Sequence, residues 1–282
     1  MKVLFINVPG VEENSEFGQF CKTVIVPLLR RNFDLVKQSD TEVTFRFSRW
    51  GSSNMDAFMF SYIDHLNEKH VFHAAAQAEK EGFDGIFIGC FGDPMLWEIR
   101  QACNIPVVGA GESSMLLSTI MGYKFGVVTI SPYNTIGQEE RIAKYGLKDR
   151  LVGIRSITET SEEQNMALID AHHSIESFKT VARELIADGA EIIIPGCVFM
   201  SPALRLAVGA EEDYPNGFTE VDGVPIADVL GDTIKLLEIL VSLKGAGSSW
   251  ISRKMLYAHA TPQAIEGGQM VLKDEGPGFW DC

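Results

Sequence analysis

The sequence predicts an α/β fold made of two similar Rossmann-like (flavodoxin-like) parallel-sheet domains, related by pseudo-two-fold symmetry, with the active site in the cleft between them. Short apolar runs alternate with longer amphipathic segments, the pattern of parallel sheets covered by helices on both faces. The chain also repeats one order of elements, and in each copy Gly-Cys follows an apolar run. Its 282 residues, 46% of them hydrophobic, are enough for two cores.

Eight predicted strands carry this alternation. Each is short and nearly continuously apolar, as expected for a strand that is buried on both faces of its sheet. They cover residues 3–6, 43–47, 85–88, 106–108, 126–129, 151–154, 191–194 and 224–226.

Two segments between these strands have a clear helical pattern. Residues 70–81 are rich in alanine and are followed by Gly82, and residues 174–188 place apolar side chains on one face and are followed by Gly189. A glycine directly after such a segment is typical of a helix C-terminus. Strands therefore alternate with helices along the chain.

The internal repeat aligns the region around Cys90 with the region around Cys197. Each copy reads as a helix, a glycine, an acidic residue, an apolar strand, Gly-Cys, a helix, a proline-flanked strand and a helix. The first copy is longer, and we expect its extra residues near 32–59. The repeat predicts a first domain of residues 1–111 plus 225–282, with a C-terminal helix and tail, and a second domain of residues 112–224.

The repeat places the two cysteines at equivalent positions, each just after a predicted strand. Ligands of open parallel sheets bind beyond the C-terminal ends of the strands. With two such units facing each other, Cys90 and Cys197 are expected to approach one cleft from opposite sides.

Composition excludes several classes of function. The net charge of −14 argues against a nucleic-acid partner, because phosphate binding needs clustered Lys and Arg. No apolar run is long enough for a transmembrane helix, and the N-terminal run is too short for a signal peptide. The five cysteines are widely spaced and lack metal-ligand spacing, as in a reduced cytoplasmic protein. We expect no metal site, no membrane contact and a small-molecule substrate.

Each cysteine precedes a pair that reads as a helix N-cap followed by proline, Asp93-Pro94 or Ser201-Pro202. Free amides at a helix N-terminus favour a thiolate. Two thiols on opposite faces of a carbon acid can act as base and acid, which inverts the centre without nicotinamide, pyridoxal or metal. Cys90 and Cys197 are therefore the predicted catalytic residues, and no cofactor is expected.

Several stretches carry a resemblance to a known family. Gly-Cys-Phe-Gly-Asp-Pro at 89–94 is followed by Ile-Pro-Val-Val-Gly-Ala-Gly-Glu at 105–112, and Asp-Gly-Ala-Glu-Ile-Ile-Ile-Pro-Gly-Cys stands at 188–197. Over about residues 1–243, the chain resembles the Asp/Glu/hydantoin racemase superfamily, most closely its hydantoin and allantoin racemase branch. The resemblance implies a cofactor-independent, homo-oligomeric racemase of 5-substituted hydantoins or related cyclic ureides, with two cysteines as acid and base.

The resemblance also implies substrate contacts. Asn7, Thr129 and the amides after each cysteine match positions that hold the substrate's polar atoms. Neighbouring residues complete the predicted substrate site, which comprises Asn7, Phe91, Gly92, Thr129, Ser131, Val198 and Phe199.

Three departures from the family pattern are visible. Phe199 stands where the family often has a glycine, which narrows or reshapes the pocket and is expected to change which hydantoins it accepts. The first loop reads Asn-Val-Pro-Gly at 7–10 rather than Asn-Pro-Asn. The tail, residues 245–282, exceeds the usual length, and it either covers a subunit face or the cleft mouth or packs on the surface as an extension.

Other functions remain open at this stage. A decarboxylase of a disubstituted malonate needs only one cysteine, whereas a cis-trans isomerase of a maleate-like diacid uses two. A racemase of free aspartate or glutamate usually has hydroxyl residues after its cysteines, which Phe91 and Val198 are not. A non-catalytic small-molecule binding protein and a dithiol redox protein are the alternatives from other classes.

Overall fold

The computed structural model describes residues 1–8, 10–49, 60–157, 159–272 and 279–282. Pro9 of the predicted first loop and part of the predicted extra segment lie outside these residues. All eight predicted strands are present, seven of them within one residue of their expected bounds, and the strand predicted at 151–154 extends to residue 156. The strands are β1 (Lys2–Asn7), β2 (Glu42–Ser48), β3 (Gly85–Gly89), β4 (Val107–Gly109), β5 (Phe125–Thr129), β6 (Leu151–Ser156), β7 (Ile192–Pro195), β8 (Glu220–Val221), β9 (Val224–Pro225) and β10 (Phe279–Asp281).

The strands form two main sheets whose topologies correspond. The first has the order β10-β2-β1-β3-β4 and the second the order β6-β5-β7. Ile226, next to β9, forms a parallel bridge with Ile193 of β7, at the place that β4 takes beside β3. All pairs in the two sheets are parallel except β10–β2. The predicted duplication and the two-unit α/β fold are thus confirmed, while the exact domain limits stay a prediction.

Helices connect the strands. They are α1 (Glu16–Phe20), α2 (Val26–Val36), α3 (Ser61–Ala78), α4 (Leu96–Ala102), α5 (Ala110–Met121), α6 (Thr135–Lys144), α7 (Ser161–Met166), α8 (His172–Ala187), α9 (Met200–Leu206), α10 (Val229–Gly245) and α11 (Pro262–Leu272). The predicted helix at 174–188 is α8. The predicted helix at 70–81 is the second half of α3, whose first turns were missed because residues 61–69 present no continuous apolar stripe.

The extra length of the first unit lies earlier than predicted. The interval from Lys2 to Glu42, the first residues of β1 and β2, is longer than the interval from Phe125 to Leu151 in the second unit. The longer connection contains α1, a π-helical turn at Cys21–Ile25 and α2. The matching connection of the second unit, between β5 and β6, contains one helix, α6, with a 3₁₀ turn on either side. The expectation of extra residues near 32–59 is therefore wrong for most of that range.

Aromatic packing fills the first sheet's core. Phe5 of β1 lies 5.3 Å from Phe45 of β2 and 4.9 Å from Phe87 of β3, measured between ring centroids, and Phe33 of α2 stands edge-on to Phe87 at 5.6 Å. All four rings are fully buried. Burial of such a ring contributes roughly 1.5–3 kcal/mol, so this cluster fixes β1 and β3, and with them the loops that follow.

The C-terminal tail packs on the first unit. Arg253 donates hydrogen bonds to the carbonyl oxygens of Arg100 and Cys103 at the end of α4. Strand β10 then adds an antiparallel edge to β2, and Trp280 stacks on Phe47 at 4.5 Å. The described residues of the tail thus pack on the first unit and extend its sheet at β2, while a role at a subunit face or at the cleft mouth stays a prediction. In the described part of the chain, every helix is too short or too polar to cross a membrane.

Candidate active site

The two predicted catalytic cysteines follow equivalent strands. Cys90 comes directly after Gly89, the last residue of β3, and Cys197 comes two residues after Pro195, the last residue of β7. Both are free thiols on partly exposed residues. The strand before each thiol is fully buried, so the thiols are held at the same end of two rigid sheets.

The residues that follow Cys90 cap a helix, although not the one predicted. Helix α4 starts only at Leu96, after Met95 in a left-handed conformation. The Asp93 carboxylate instead accepts hydrogen bonds from the amides of Gly111, at 2.9 Å, and Glu112, at 2.6 Å. Asp93 is therefore the cap of α5, which explains why the two conspicuous motifs at 89–94 and 105–112 occur together.

Glycine makes this contact possible. A methyl group on Gly111 would overlap the Phe91 carbonyl oxygen and lie 2.9 Å from Asp93 Oδ2. The loop after Cys90 thus packs directly on the α5 backbone, and a side chain at Gly111 would displace it.

The second copy uses the same arrangement with another residue. Ser201 and Pro202 lie inside α9, which begins at Met200, so the prediction that Ser201 caps its own helix is wrong. Its hydroxyl oxygen instead accepts a 3.2 Å hydrogen bond from the amide of Val229, the first residue of α10. Asp93 and Ser201 therefore have equivalent roles, each fixing a cysteine loop to the helix after the next strand.

Cys90 lies in surroundings that favour a thiolate. The Gly92 amide donates a 3.3 Å hydrogen bond to Cys90 Sγ. A methyl group on Gly92 would lie 3.2 Å from this sulfur and 3.6 Å from Arg141 Nη2, so the guanidinium of α6 is a close neighbour of the thiol. A donated hydrogen bond and a nearby cation both stabilise the charged sulfur.

Cys197 lies in a different environment. The amides of Phe199 and Met200 donate to its sulfur, as expected for the first turn of a helix, yet burial outweighs them and raises the pKa of the Cys197 thiol above its ordinary value. Apolar protein atoms desolvate a charged sulfur more than two amides can offset. The expectation that both thiols approach the thiolate state is therefore wrong for Cys197.

Helix α6 borders both cysteine loops. Gln138 Nε2 donates a 3.0 Å hydrogen bond to Thr129 Oγ1, and its Oε1 lies 3.6 Å from where a methyl group on Gly196 would stand. Arg141, the neighbour of Cys90, follows Gln138 by three residues, so the two side chains share one helix face. One face of α6 thus connects the surroundings of the two thiols.

The predicted polar substrate residues lie at the strand ends. Asn7 pairs in register with Gly89, directly before Cys90, and Thr129 is the buried last residue of β5. Ser131 caps the 3₁₀ turn that follows, because its hydroxyl accepts from the Tyr133 amide at 3.2 Å. Each of these three residues therefore lies at or just beyond the C-terminal end of a strand, as the two cysteines do.

The predicted apolar substrate residues divide into two groups. Phe91 and Val198 are buried in the main hydrophobic core, where their side chains pack against protein. Phe199 is buried as well, but it lines a small cavity together with Cys197. Phe199 is the one of the three that lines this cavity beside the Cys197 thiol.

The cavity beside Cys197 contains polar groups that sequence reasoning missed. Its walls are mostly apolar, from Ile130, Ile157, Ala167, Leu168, Phe199, Met200, Ala203 and Leu204. Glu159, Gln164 and Ser174 also line it. No motif marks these three residues, and their proximity to Cys197 depends on how α7, α8 and α9 pack. Among the described residues, no group of three or more His, Cys, Asp or Glu side chains is arranged to hold a metal ion.

Comparison with known proteins identifies the family and the fold of this chain. The sequence profile of the family described as Asp/Glu/Hydantoin racemase matches residues 37–229. A hydantoin racemase of Pseudomonas sp. (strain NS671) is 26% identical over 211 residues, which cover 73% of this chain and 76% of that protein. A hydantoin racemase of Paenarthrobacter aurescens is 29% identical over 189 residues, covering 65% and 72%. The structure titled allantoin racemase from Klebsiella pneumoniae has the same fold, with a TM-score of 0.69 and 19% identity over 92% of this chain and 94% of that one.

Proposed function

Because the chain belongs to the Asp/Glu/hydantoin racemase family, we propose that it racemises a 5-substituted hydantoin or a related cyclic ureide by proton transfer through Cys90 and Cys197. Its assignment to the racemase class of isomerases follows from that membership, as the sequence predicted. The observation that supports the finer proposal is the position of the two thiols, which follow equivalent strands and are connected by one face of α6.

The proposed reaction needs two proton transfers. The thiolate of one cysteine takes the proton from C5, breaking the C–H bond and leaving the electron pair delocalised into the adjacent carbonyl. The thiol of the other cysteine then gives its proton to the opposite face of C5. The first cysteine ends as a thiol and the second as a thiolate, so the opposite enantiomer is converted by the same steps in reverse.

The surroundings of the two sulfurs support an assignment of their resting states. Cys90 accepts a hydrogen bond from Gly92 and has Arg141 as a neighbour, whereas burial raises the pKa of Cys197. We assign Cys90 as the resting base and Cys197 as the resting acid. Inversion at C5 requires one thiolate that takes a proton and one thiol that gives a proton.

Polar groups at the strand ends supply the substrate contacts of this proposal. Asn7 and Thr129 end equivalent strands, and Gln138 fixes the orientation of the Thr129 hydroxyl. Donors that are held rigidly near a ring carbonyl stabilise the negative charge that develops when C5 loses its proton.

Racemisation in deuterated water tests the proposal. Single enantiomers of allantoin and of 5-substituted hydantoins are incubated with the protein, and optical rotation and C5 deuterium content are followed together. We expect catalysed loss of rotation with entry of solvent deuterium at C5, above the uncatalysed rate. A protein that binds the hydantoins but catalyses neither change would be a receptor, and loss of CO₂ from a malonate would identify a decarboxylase.

A further inference from the structure

The cavity beside Cys197 contains a buried acceptor that lacks a donor among the described residues. Gln164 is 8% exposed and its Oε1 has no hydrogen-bond partner there. Its orientation is fixed, since Nε2 donates to the carbonyl oxygens of Ile130, at 2.9 Å, and Glu159, at 3.4 Å. A flipped amide would bring its oxygen against these carbonyls. An unpaired buried acceptor is costly, which indicates that a donor occupies the cavity in the working protein.

A buried carboxylate lies on the same cavity. The Glu159 side chain is 0% exposed, and the Ser174 hydroxyl donates to it, at 2.8 Å and 2.9 Å from the two oxygens. One hydroxyl has a single proton, so the carboxylate retains acceptor capacity. His173 Nε2 is 4.0 Å from Glu159 Oε1 but lies on a largely exposed ring. The cavity therefore has two kinds of acceptor and mostly apolar walls.

This combination selects a ligand by its chemistry. A ligand group that enters must supply N–H donors to Gln164 and Glu159 while its flat faces contact apolar side chains. The cavity volume of about 20 Å³ is that needed by about one water molecule, so a larger group enters only when the Met200 side chain, which is unbranched and flexible, moves aside. Long or bulky aryl groups do not meet these conditions.

We propose that this cavity receives the C5 substituent of the substrate and selects small substituents that carry N–H donors, such as a ureido group. The proposal rests on the proposed function, because Cys197 lines both the cavity and the proposed reaction site. A substituent at C5 is attached to the atom that exchanges its proton, so it must lie next to the thiol that serves that atom. Gln164 and Glu159 are then specificity residues that determine which hydantoin is turned over.

A matched pair of substrates tests the selection in the unmodified protein. Allantoin has a ureido group at C5, and 5-isobutylhydantoin has a group with the same number and branching of heavy atoms but no donors. We expect kcat/KM for allantoin to exceed that for 5-isobutylhydantoin by about tenfold or more, since a site with buried acceptors discriminates against a group that cannot pair with them. Equal values, or a preference for isobutyl, would overturn the proposal.

Variants then assign the selection to the cavity. Gln164→Leu is expected to lower kcat/KM for allantoin by about tenfold, with 5-isobutylhydantoin unchanged or improved. Glu162→Gln, an exposed neighbour on α7, is the control and is expected to retain the original ratio. A Gln164→Leu protein with an unaltered ratio would also contradict the proposal.

Unsubstituted hydantoin separates this inference from the proposed function. It has no C5 substituent, yet solvent deuterium can still enter at C5 through the cysteines. Retained exchange in Gln164→Leu shows that the variant is folded and that its thiols work. Catalysed exchange without ureido selectivity would defeat the inference alone, whereas absence of exchange with every hydantoin in the unmodified protein would defeat the proposed function.

Discussion

The hydroxyl of Tyr145 donates a 2.8 Å hydrogen bond to the carboxylate of Asp93. Asp93 stands three residues after Cys90, while Tyr145 follows α6, which belongs with the second sheet. The same carboxylate caps α5. This single buried group therefore ties the Cys90 loop to elements of both units, and its protonation state matters for the whole site.

Asp93 is predicted to make the stability of the protein pH-dependent. Burial raises the pKa of Asp93 from 3.8 to about 6, against the hydrogen bonds from Tyr145, Gly111 and Glu112 that lower it. Below pH 3.8 the carboxyl is protonated in both the folded and the unfolded chain. Between pH 4 and 6 Asp93 ionises in the unfolded chain but stays largely protonated in the folded protein. The free energy of unfolding therefore falls by up to about 3 kcal/mol as the pH rises.

Denaturant unfolding from pH 4 to pH 7 checks this. Asp93→Asn has no carboxyl group to ionise, so its stability should not fall as the pH rises, and the free energy of unfolding of the variant relative to the unmodified protein should increase by up to about 3 kcal/mol between pH 4 and pH 7. Tyr145→Phe removes one hydrogen bond to the carboxylate and should lower stability by about 1–2 kcal/mol, with most of the effect above pH 6. A constant difference at all pH values for Asp93→Asn would contradict the raised pKa.

The sequence predicts the strands, the duplication and the equivalence of Cys90 and Cys197 because these depend on local apolar patterns and short motifs. It also marks Asp93 and Ser201 as caps. It does not identify which helix each one caps, since α5 and α10 follow in the chain only after another strand and meet these side chains through tertiary packing. Local N-cap patterns cannot distinguish a cap of the next helix from a cap of a later one.

The same reason explains which site residues the sequence misses. Arg141 and Gln138 lie on an amphipathic helix whose pattern predicts only that one face is buried. The Glu159 and Gln164 side chains reach Cys197 from the connection between β6 and α8, which carries no motif. The raised pKa of the Cys197 thiol likewise depends on burial that forms only in the folded protein.

Cys90→Ser and Cys197→Ser should each lower racemisation by at least about 1,000-fold, since a serine hydroxyl is a much weaker acid and base at neutral pH. Each variant should keep the melting temperature of the parent within a few degrees. Either one can still exchange the C5 proton of one enantiomer, which mass spectrometry in deuterated water detects. Cys103→Ala is the control, a buried thiol away from the site. Full racemisation in either serine variant would refute the two-thiol mechanism.

Arg141→Gln should move the acid limb of the kcat/KM profile to higher pH. The guanidinium beside Cys90 favours the thiolate, and its removal means that a higher pH is needed to ionise the base. Lys148→Gln removes one positive charge at an exposed position and should leave the limb in place. An unmoved limb for Arg141→Gln, with the control behaving as expected, would show that Cys90 is not the resting base.

Phe199→Ala should widen the range of C5 substituents. The phenyl ring is a wall of the cavity that Cys197 lines, so its removal makes room for larger groups. The ratio of kcat/KM for 5-benzylhydantoin to that for allantoin is expected to rise about tenfold, at a stability loss of about 3–5 kcal/mol. Phe199→Leu keeps most of the bulk and should give a smaller change. If the benzyl ratio stays the same in a folded Phe199→Ala protein, Phe199 does not limit the substituent.

Trp280→Ala should destabilise the protein without changing its substrate preference. Trp280 is 5% exposed, stacks on Phe47 and donates a 3.1 Å hydrogen bond from Nε1 to the Val11 carbonyl oxygen. Removing this ring should lower the free energy of unfolding by about 3–5 kcal/mol, because it leaves a cavity at the edge of the first sheet. Tyr123→Ala, at a 62% exposed position, should cost far less. A shifted allantoin-to-isobutyl ratio in the folded Trp280→Ala protein would mean that the tail also shapes the substrate site.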